Sequence, residues 1–315
     1  MPPSSPETDD YDPDQLLAQH GKSFYWARYF LGDEPSKNAT QLYAFCRYLD
    51  DIADSQGTDN LENLLEIKKN IDSSAKANIK NPQINAFLKL YKENKFDLSA
   101  AKDLLDGLIS DQNDVQISDE NVLLQYSYQV AGTVGLMMAP ILNAENEAAF
   151  PFAVDLGIAM QLTNIARDVL EDAEYGRRYI PGILCNEMTP KEILSSANKD
   201  GSLGRITIIA SIDHILAIAE KYYDSGLSGL TYLPVRNHIA IGIAAIVYRQ
   251  IGRQLQKFGT QWWNGRQVIS LVGKLVHSFC VIGTLFNRLQ VLPKHDKTLH
   301  LPLKRFLYAD GNYKY

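Results

Sequence analysis

The sequence predicts an all-α fold in a single domain, and two features of the 315-residue chain carry this prediction. Apolar residues recur mostly at spacings of three and four, the period of an amphipathic helix, and no convincing series of alternating strands is found. The breaks between the apolar segments are short, so none of them is typical of an interdomain linker. One bundle of helices is therefore the simplest architecture.

The apolar periodicity predicts eleven helices, over residues 13–30, 36–55, 60–73, 83–92, 98–112, 119–140, 146–173, 190–197, 204–225, 236–258 and 267–288. Ser36, which follows Pro35, is expected to start the second helix. Ser99 and Ser118 are expected to cap two later helices, because a serine hydroxyl can accept a hydrogen bond from a free backbone N–H of the first turn.

The folded domain is expected to span residues 15–290. Residues 1–14 are acidic and rich in proline and have no apolar signal-peptide core, so they are predicted to be a flexible tail. Residues 291–315 are predicted to be a second tail, at the C-terminus.

Composition and charge exclude several classes of protein. A net charge of −6 gives no support for nucleic-acid binding. Three scattered cysteines are too few for a disulfide framework and have no zinc-site spacing, which favours a reduced, cytoplasmic setting. No apolar run reaches the roughly 18 residues of a membrane span, although contact with a membrane surface stays open. Neither a GxGxxG nor a P-loop motif is present, so a nucleotide site of either kind is not supported.

The first chemical feature is an acid cluster in the segment YAFCRYLDDIAD, which contains Asp50, Asp51 and Asp54. Acids at this spacing share one face of a helix, where like charges are unfavourable unless something positive lies between them. Arg47 and Tyr43 fall on the same face at 100° per residue. The pattern predicts a site that binds a cation at one end and a phosphate beside it.

The second feature is the segment QLTNIARDVLED, in which four oxygen-bearing side chains share a face: Gln161, Asn164, Asp168 and Asp172. Carboxylate and amide oxygens are the ligands that Mg²⁺ accepts, and magnesium usually takes its remaining ligands from water and phosphate. Arg167 lies one position off this face and could either pair with Glu171 or bind a phosphate. Either cluster alone could be a solvated helix surface, but the two together favour divalent cations.

Small residues and tyrosines mark a third region. Ala131, Gly132 and Gly135 permit the close approach of either another helix or an elongated apolar ligand, and the sequence leaves both open. Four tyrosines are candidates for lining a cavity, since aromatic faces stabilise cations: Tyr126, Tyr128, Tyr179 and Tyr248. Trp262 and Trp263 fit core packing better than an interfacial anchor, and the histidines are interpreted as structural, except for His20.

Both acid motifs, in this order, resemble the signatures of the squalene/phytoene synthase family. The second motif continues to GRRYIP at residues 176–181, and related elements occur at 20–24, 130–135, 248–249 and Arg266. The resemblance covers about residues 15 to 285. It implies an all-α isoprenoid-synthase fold, a helical bundle around a central cavity, and the Mg²⁺-dependent head-to-head condensation of two prenyl diphosphates. Mn²⁺ is an expected substitute, and NADPH is not expected.

The resemblance also implies roles for individual residues. The expected metal contacts are Asp50, Asp54, Asn164, Asp168 and Asp172. The expected substrate contacts are His20, Ser23, Tyr43, Arg47, Gln161, Arg167, Tyr248 and Arg266. The residues expected to carry the chemistry are the five aspartates Asp50, Asp51, Asp54, Asp168 and Asp172, with Tyr126 and Tyr179. Two positions depart from the family pattern: Gly21, where many relatives have a hydroxyl residue, and the segment 113–115, which lacks a frequent arginine.

The choice within the family depends on chain length. Thr40 lies ~16 Å from Asp51 along a helix, where a bulky aromatic residue would shorten an apolar tunnel. Its small size favours geranylgeranyl diphosphate and phytoene, in carotenoid biosynthesis. The alternative is a thirty-carbon product, squalene, hydroxysqualene or dehydrosqualene, made from farnesyl diphosphate. A non-catalytic assembly factor would be expected to lose metal acids, and all five are present. Contact with neighbouring pathway enzymes stays open.

Overall fold

The computed structural model describes residues 12–55, 59–72, 81–266, 270–309 and 312–314. Within these residues the chain forms sixteen α-helices: α1 Pro13–His20, α2 Lys22–Arg28, α3 Asp33–Asp54, α4 Asn60–Asp72, α5 Pro82–Asn94, α6 Leu98–Ser110, α7 Glu120–Ser127, α8 Thr133–Ile141, α9 Phe150–Arg167, α10 Val169–Glu174, α11 Pro190–Ala197, α12 Leu203–Gly229, α13 Val235–Lys257, α14 Leu271–Phe279, α15 Val281–Leu285 and α16 Lys304–Leu307. The all-α fold predicted from the sequence is confirmed.

Shorter elements connect the helices. A π-helical turn, Tyr128–Gly132, joins α7 to α8. Single 3₁₀ segments lie at Glu147–Ala149, Gly182–Leu184, Leu230–Tyr232, Trp262–Asn264, Phe286–Leu289 and Lys297–Leu303. Two antiparallel strands of two residues, β1 Tyr308–Ala309 and β2 Asn312–Tyr313, follow α16.

Several predicted helices are divided in the structure. The first is broken at Gly21, and the seventh stops at Arg167 and resumes after Asp168. The last is divided into α14, α15 and a 3₁₀ turn, and its first three residues, 267–269, lie outside the described residues. Periodicity does not detect such breaks, because the apolar face continues across them.

The predicted helix starts at the three serines are wrong. Ser36 lies inside α3, which begins three residues earlier. In α6 and α7 the N-terminal cap is a carboxylate. Asp97 accepts a hydrogen bond from the N–H of Ser99, and Asp119 accepts hydrogen bonds from the N–H groups of Asn121 and Val122. Asp12 caps α1 in the same way, so α1 already includes the last two residues of the predicted N-terminal tail.

Helix α9 is the centre of the bundle and packs against α8, α12, α13 and the π-helical turn. Two glycines permit the closest of these contacts. A Cβ at Gly135 would lie 2.1 Å from the carbonyl oxygen of Ala153, and one at Gly157 would lie 2.3 Å from that of Ala131. The small residues of this region therefore serve helix packing, the first of the two alternatives that the sequence left open.

Core packing also explains a long apolar helix and a buried tryptophan, two features that occur in membrane proteins as well. The stretch Glu147–Arg167 is long and apolar enough to cross a membrane by length and composition alone, but half of it is buried in the bundle. This burial explains its apolar character. Trp262 is fully buried, in agreement with the core-packing interpretation.

The segment predicted as a C-terminal tail is partly folded onto the bundle. Leu303 and Leu307 are fully buried in the main core, together with the side chain of His300. Tyr222 on α12 donates a hydrogen bond of 2.8 Å to the carbonyl oxygen of Leu299. The part of the predicted C-terminal tail around residues 299–307 therefore packs on the bundle.

Candidate active site

The first acid cluster lies in the last two turns of α3, as its spacing predicts. Arg47 pairs with Asp51 at 2.5 Å across one turn. Asp50 is left without this partner, and burial, together with the charges of nearby carboxylates, raises the pKa of Asp50 to about 7 despite the opposing effect of Arg47. Asp54 is exposed at the helix end. The cluster therefore holds more negative charge than its one arginine compensates.

The second acid cluster lies where α9 ends and α10 begins. Arg167 binds Asp168 in bidentate fashion, with Nε to Oδ1 at 2.7 Å and Nη2 to Oδ2 at 2.5 Å. Arg167 thus pairs with its neighbour and not with Glu171, the alternative partner. Arg266 approaches the same carboxylate at 3.5 Å. Burial and the charge of Asp168 raise the pKa of Asp172 to about 8.

The two acid clusters lie close together, and two residues connect them. Arg177, which follows α10, reaches across to Asp54 on α3 with an Nη1 to Oδ1 distance of 2.8 Å. Asp111, which follows α6, is close enough to raise the pKa of both Asp50 and Asp172. We call this arrangement of Asp50, Asp54, Asp111, Asp168 and Asp172 the acid cleft.

Asp111 and Arg177 were not identified from the sequence. Asp111 accepts a hydrogen bond of 2.8 Å from Tyr126, whose ring stacks on Tyr179 at 4.9 Å. Burial raises the pKa of Asp111 to about 6, although the bond from Tyr126 opposes this shift. Arg177 belongs to the GRRYIP segment and could have been noticed there, but Asp111 has no local signal because only tertiary packing brings it to the cleft.

Three of the four candidate tyrosines lie at the acid cleft. Tyr126 and Tyr179 lie beside Asp111, and Tyr248 lies beside Asn164. Tyr126 and Tyr179 form the stacked pair described above. Tyr128 does not belong to the site, because it is fully buried and donates to Asp103 at 3.0 Å. Tyr128 lies in the π-helical turn, and its hydroxyl binds Asp103 on α6, whereas the hydroxyl of Tyr126 binds Asp111.

Helices α2, α9 and α13 contribute a group of polar and aromatic side chains next to the acid cleft. Tyr248 on α13 donates to Asn164 Oδ1 at 2.8 Å, and Asn164 in turn donates to Gln161 at 3.2 Å. Phe24 on α2 stacks on Tyr248 at 5.6 Å and packs against Tyr43 at 6.3 Å. Polar oxygens and aromatic rings therefore lie side by side at this wall.

The turn at Gly21 brings the His20–Ser23 segment to this aromatic wall. A Cβ at Gly21 would lie 3.0 Å from Cζ of Tyr43 and 2.7 Å from Leu17. Glycine at this position permits the turn to pack on Tyr43, which gives a steric reason for the departure from the family pattern. Tyr43 itself is half-buried, and burial raises its pKa to about 12.

Thr40 does not have the surroundings of an apolar tunnel. Its hydroxyl donates to the carbonyl oxygen of Ser36 at 2.8 Å, and Arg28 approaches the same hydroxyl at 3.4 Å. It borders a cleft of about 570 Å³ whose lining includes Lys37 and Arg236. The size of Thr40 therefore gives no information about the length of a prenyl chain.

The residues of the acid cleft fit divalent cations. Oxygen donors predominate, as hard cations require. Burial and mutual repulsion leave three carboxylates, Asp50, Asp111 and Asp172, with raised pKa values, and a bound cation would favour their charged forms. Nε of Arg47 is buried without a hydrogen-bond partner among the described residues. This N–H group lies beside the acids and could donate a hydrogen bond to an anion that also binds the cations.

A second group of ligand-type residues lies elsewhere along α9. His295 Nε2 and His300 Nε2 each lie 2.8 Å from an oxygen of Asp155, and Ser225 donates to the same carboxylate at 2.5 Å. These are hydrogen-bond distances, shorter than the roughly 3.3 Å that separates ligands in a tetrahedral site with 2.0 Å bonds. We call these four residues the Asp155 cluster and interpret it as a hydrogen-bonded clasp.

Comparisons with known proteins decide the family. The sequence profile described as squalene/phytoene synthase matches residues 17–272. The chain belongs to the squalene/phytoene synthase family. Members are metal-dependent prenyltransferases, and the chain is accordingly a prenyltransferase.

Relatives within the squalene/phytoene synthase family include enzymes of both product lengths. The 15-cis-phytoene synthase of Enterobacter agglomerans is 34% identical over 81% of this chain and 88% of its own length. The 4,4′-diapophytoene synthase of Staphylococcus haemolyticus is 30% identical over 77% of this chain and 86% of its own. A crystal structure of a dehydrosqualene synthase in complex with a ligand is similar at a TM-score of 0.76 and 26% identity, covering 87% of this chain and 95% of that one.

Proposed function

We propose that the protein condenses two molecules of geranylgeranyl diphosphate head to head to give phytoene. The observation that carries this proposal is the meeting of two acid clusters, from α3 and from α9–α10, at one cleft spanned by Arg177 and Asp111. The similarity to 15-cis-phytoene synthases supports the twenty-carbon substrate.

The arginines at the rim of the cleft would bind the diphosphates. Arg47 has a free Nε, and Arg266 is half-exposed beside Asp168. Arg167 is held by Asp168 and close to Tyr248, so that its guanidinium is fixed in direction. Guanidinium groups recognise phosphate oxygens through paired N–H donors. Gln161, His20 and Ser23 would complete the contacts from the neighbouring helices.

The metal site would consist of Asp50, Asp54, Asn164, Asp168 and Asp172. Magnesium ions bound there would stabilise the departing diphosphate as Lewis acids, with manganese as a substitute. Tyr248 orients the amide of Asn164 by donating to its oxygen, and an amide oxygen has a second lone pair that could bind a cation. Asp51, paired with Arg47, would hold that arginine in place.

The reaction has two halves, each of which releases diphosphate. In the first, one allylic diphosphate ionises, and its C1 bonds to the double bond of the second chain, which loses a proton to form a cyclopropylcarbinyl diphosphate. In the second, this intermediate ionises and rearranges, and the loss of another proton creates the central double bond. The cations need a site from which water is excluded. The rings of Phe24, Tyr43 and Tyr248 supply an apolar wall beside the polar oxygens.

Tyr126 and Tyr179 would contribute near the second ionisation. Their stacked rings can stabilise a neighbouring cation through their faces. The hydrogen bond from Tyr126 to Asp111 fixes the pair at the floor of the acid cleft. Each released diphosphate is itself a base and could accept the proton, so the reaction requires no dedicated side-chain base.

A thirty-carbon synthase is the second candidate function. The similarity to a 4,4′-diapophytoene synthase and to a dehydrosqualene synthase structure favours this alternative. Both candidates use the same acid cleft and differ in the length of the apolar chains, and the squalene branch of the second also needs a reductant.

The substrate assay separates the candidates. Purified protein with Mg²⁺ is given farnesyl or geranylgeranyl diphosphate, with and without NADPH, and the products are identified by mass. We expect a forty-carbon product with a central conjugated triene from geranylgeranyl diphosphate without reductant. A thirty-carbon product made in preference supports the second candidate, and dependence on NADPH indicates squalene.

The control for this assay is the Asp168→Asn variant, which should release no diphosphate from either substrate. If the unmodified protein also gives no product with either chain, both synthase functions are refuted. A non-catalytic role in the assembly of other pathway proteins would then be the remaining explanation.

A further inference from the structure

The surface formed by α14, α15 and the turn after them has an unusual distribution of apolar side chains. Most of its large apolar residues are exposed, at steps of three and four along the chain: Val272, Val276, Phe279, Ile282, Phe286 and Leu289. Val291 and Leu292 continue this row. The exposed fractions of Phe279, Leu289 and Val291 are 72%, 85% and 92%. We call this row the 272–292 surface.

The opposite side of the same segment is firmly anchored. Val281 is buried against α13, and Thr284 is 2.9 Å from Nε2 of His238. Arg288 donates to the carbonyl oxygen of Leu233 at 2.7 Å. The segment therefore keeps its fold with one apolar face packed and the other bare, as an amphipathic surface helix does when it contacts a partner.

The charged side chains in and beside the 272–292 surface include Lys274 on α14, Lys22 on α2 and Lys294, and α13, α14 and α15 carry no aspartate or glutamate. Arg249, Arg253 and Arg266 do not add to this charge, because they pair with Glu220, Asp224 and Asp168. Helix α2, which packs against α13, has no acid either. Lys22 on α2 lies near enough to Lys274 to add to the lowering of its pKa by burial. Lys294 is exposed at the end of the row.

We infer that the 272–292 surface docks on an anionic lipid bilayer. Exposed valine, phenylalanine and leucine side chains enter the boundary between headgroups and acyl chains, while the lysines meet lipid phosphates. A second copy of the chain fits less well. A symmetric dimer through this surface would bring the same lysines of both copies together, with no acid on α2, α13, α14 or α15 to oppose them.

Docking there would bring the bilayer close to the acid cleft. Trp26 on α2 donates from its indole nitrogen to Ser278 on α14 at 3.1 Å, and two residues before it Phe24 stacks on Tyr248. The surface and the aromatic wall therefore share helix α2. The entry of prenyl chains from the bilayer by this route rests on the proposed function, whereas lipid binding itself does not.

Vesicle sedimentation tests the docking without any need for turnover. The full chain is mixed with vesicles of phosphatidylcholine alone or with added phosphatidylglycerol. We expect binding to the anionic vesicles, at least about tenfold weaker binding to the neutral ones, and a strong loss at high salt. The double variant Phe279→Asp with Leu289→Asp should bind the anionic vesicles at least about tenfold more weakly than the unmodified chain.

The matched control is Leu61→Asp with Leu65→Asp. These two leucines are exposed on α4, which packs on α3, α5 and α6 and not on α13 or α14. This variant should bind as the unmodified chain does, and circular dichroism should show both variants folded.

Two results overturn the docking. One is equal vesicle binding by the Phe279/Leu289 variant and the unmodified chain, or no binding by either. The other is concentration-dependent dimerisation, seen by light scattering without vesicles and abolished by the same substitutions, which would assign the surface to a second copy. A lack of prenyl transfer with intact vesicle binding contradicts the proposed function alone.

Discussion

The acid cleft and the Asp155 cluster are two ways of burying carboxylates, and they differ in how the charge is compensated. Asp155 is completely buried, but His295, His300 and Ser225 all lie within hydrogen-bond distance of its two oxygens. Burial raises the pKa of Asp155, and these hydrogen bonds more than offset this and leave the pKa below its ordinary value. At Asp50, Asp111 and Asp172 of the acid cleft, burial prevails and raises the pKa.

This difference separates a structural carboxylate from one that is prepared for a ligand. A buried charge is tolerated when it is paired and hydrogen-bonded, and otherwise its pKa shifts. Asp50 and Asp172 have pKa values raised to about 7 and about 8. Such groups gain the most from an added cation. The following substitutions and conditions test this difference between the acid cleft and the Asp155 cluster.

The largest effect is expected for the acids of the cleft. Asp50→Asn or Asp168→Asn should lower turnover at least about 100-fold, because each change removes a metal contact in the proposed function. Helicity should change little in both variants, and the unfolding temperature should change little in Asp50→Asn, since the site holds an excess of negative charge. Asp168→Asn also removes the partner of the buried Arg167, so its unfolding temperature should fall. Steady-state assays with circular dichroism check both. Glu174→Gln, an exposed acid at the end of α10, is the control, and near-normal turnover in either aspartate variant would contradict the metal assignment.

Asp155→Asn should lower the stability of the protein but leave its catalytic turnover nearly unchanged. It removes a buried charge that two histidines face, and breaking a buried pair typically costs about 3–5 kcal/mol. Chemical denaturation should therefore show a much lower free energy of unfolding. At a low temperature, where the variant is still folded, turnover should stay within a few-fold of normal. A variant that is stable but inactive would give Asp155 a role in catalysis and would remove the contrast.

The effect of Mg²⁺ on thermal stability should depend on pH. Because the pKa values of Asp50 and Asp172 lie above those of unfolded aspartates, the folded protein retains protons that the unfolded chain releases. Metal-free stability should therefore fall as pH rises from about 4 to about 8. Mg²⁺ needs the charged carboxylates, so its stabilisation should be greater at pH 8 than at pH 6.

Thermal unfolding in chelator and in Mg²⁺ at the two pH values measures this difference. Asp50→Asn serves as the control, and it should lose much of the Mg²⁺ effect. Equal stabilisation at both pH values would indicate that the cleft carboxylates are already charged without metal.

The smallest effect is expected for Tyr248→Phe. This change removes the hydrogen bond of 2.8 Å to Asn164 but keeps the ring that stacks on Phe24. A hydrogen bond contributes about 1 kcal/mol, so the Mg²⁺ concentration for half-maximal activity should rise several-fold while the turnover at saturation changes less. Tyr232→Phe, which alters a tyrosine bonded to the carbonyl oxygen of Pro293, is the control. An unchanged metal dependence would show that Asn164 needs no orientation.

Local periodicity predicted the parts of the site that lie on one helix. Asp50, Asp54 and Arg47 could be assigned to one face of α3 from their spacing alone. The all-α fold followed from the same argument and from the family resemblance. Helix breaks such as the one at Asp168 could not be predicted, because the residues on both sides continue the same pattern.

The remaining residues depend on contacts that are distant in sequence. Asp111 reaches the acid cleft from the end of α6. Asp155 is an isolated acid in an apolar helix, and its partners Ser225, His295 and His300 lie 70, 140 and 145 residues away. A carboxylate in such a helix has no local pattern that identifies what will surround it. Thr40 shows the converse, since its place on the helix was predicted but its polar surroundings were not.

The clasp between α9 and the segment 295–300 has a consequence for biosynthesis. The ribosome adds His295 and His300 140 and 145 residues after Asp155, and domains form as units while the chain emerges. Until those imidazoles are available, the carboxylate of the central helix has no histidine partner. The nascent bundle should consequently stay loose and dependent on chaperones until the segment 295–300 has been made.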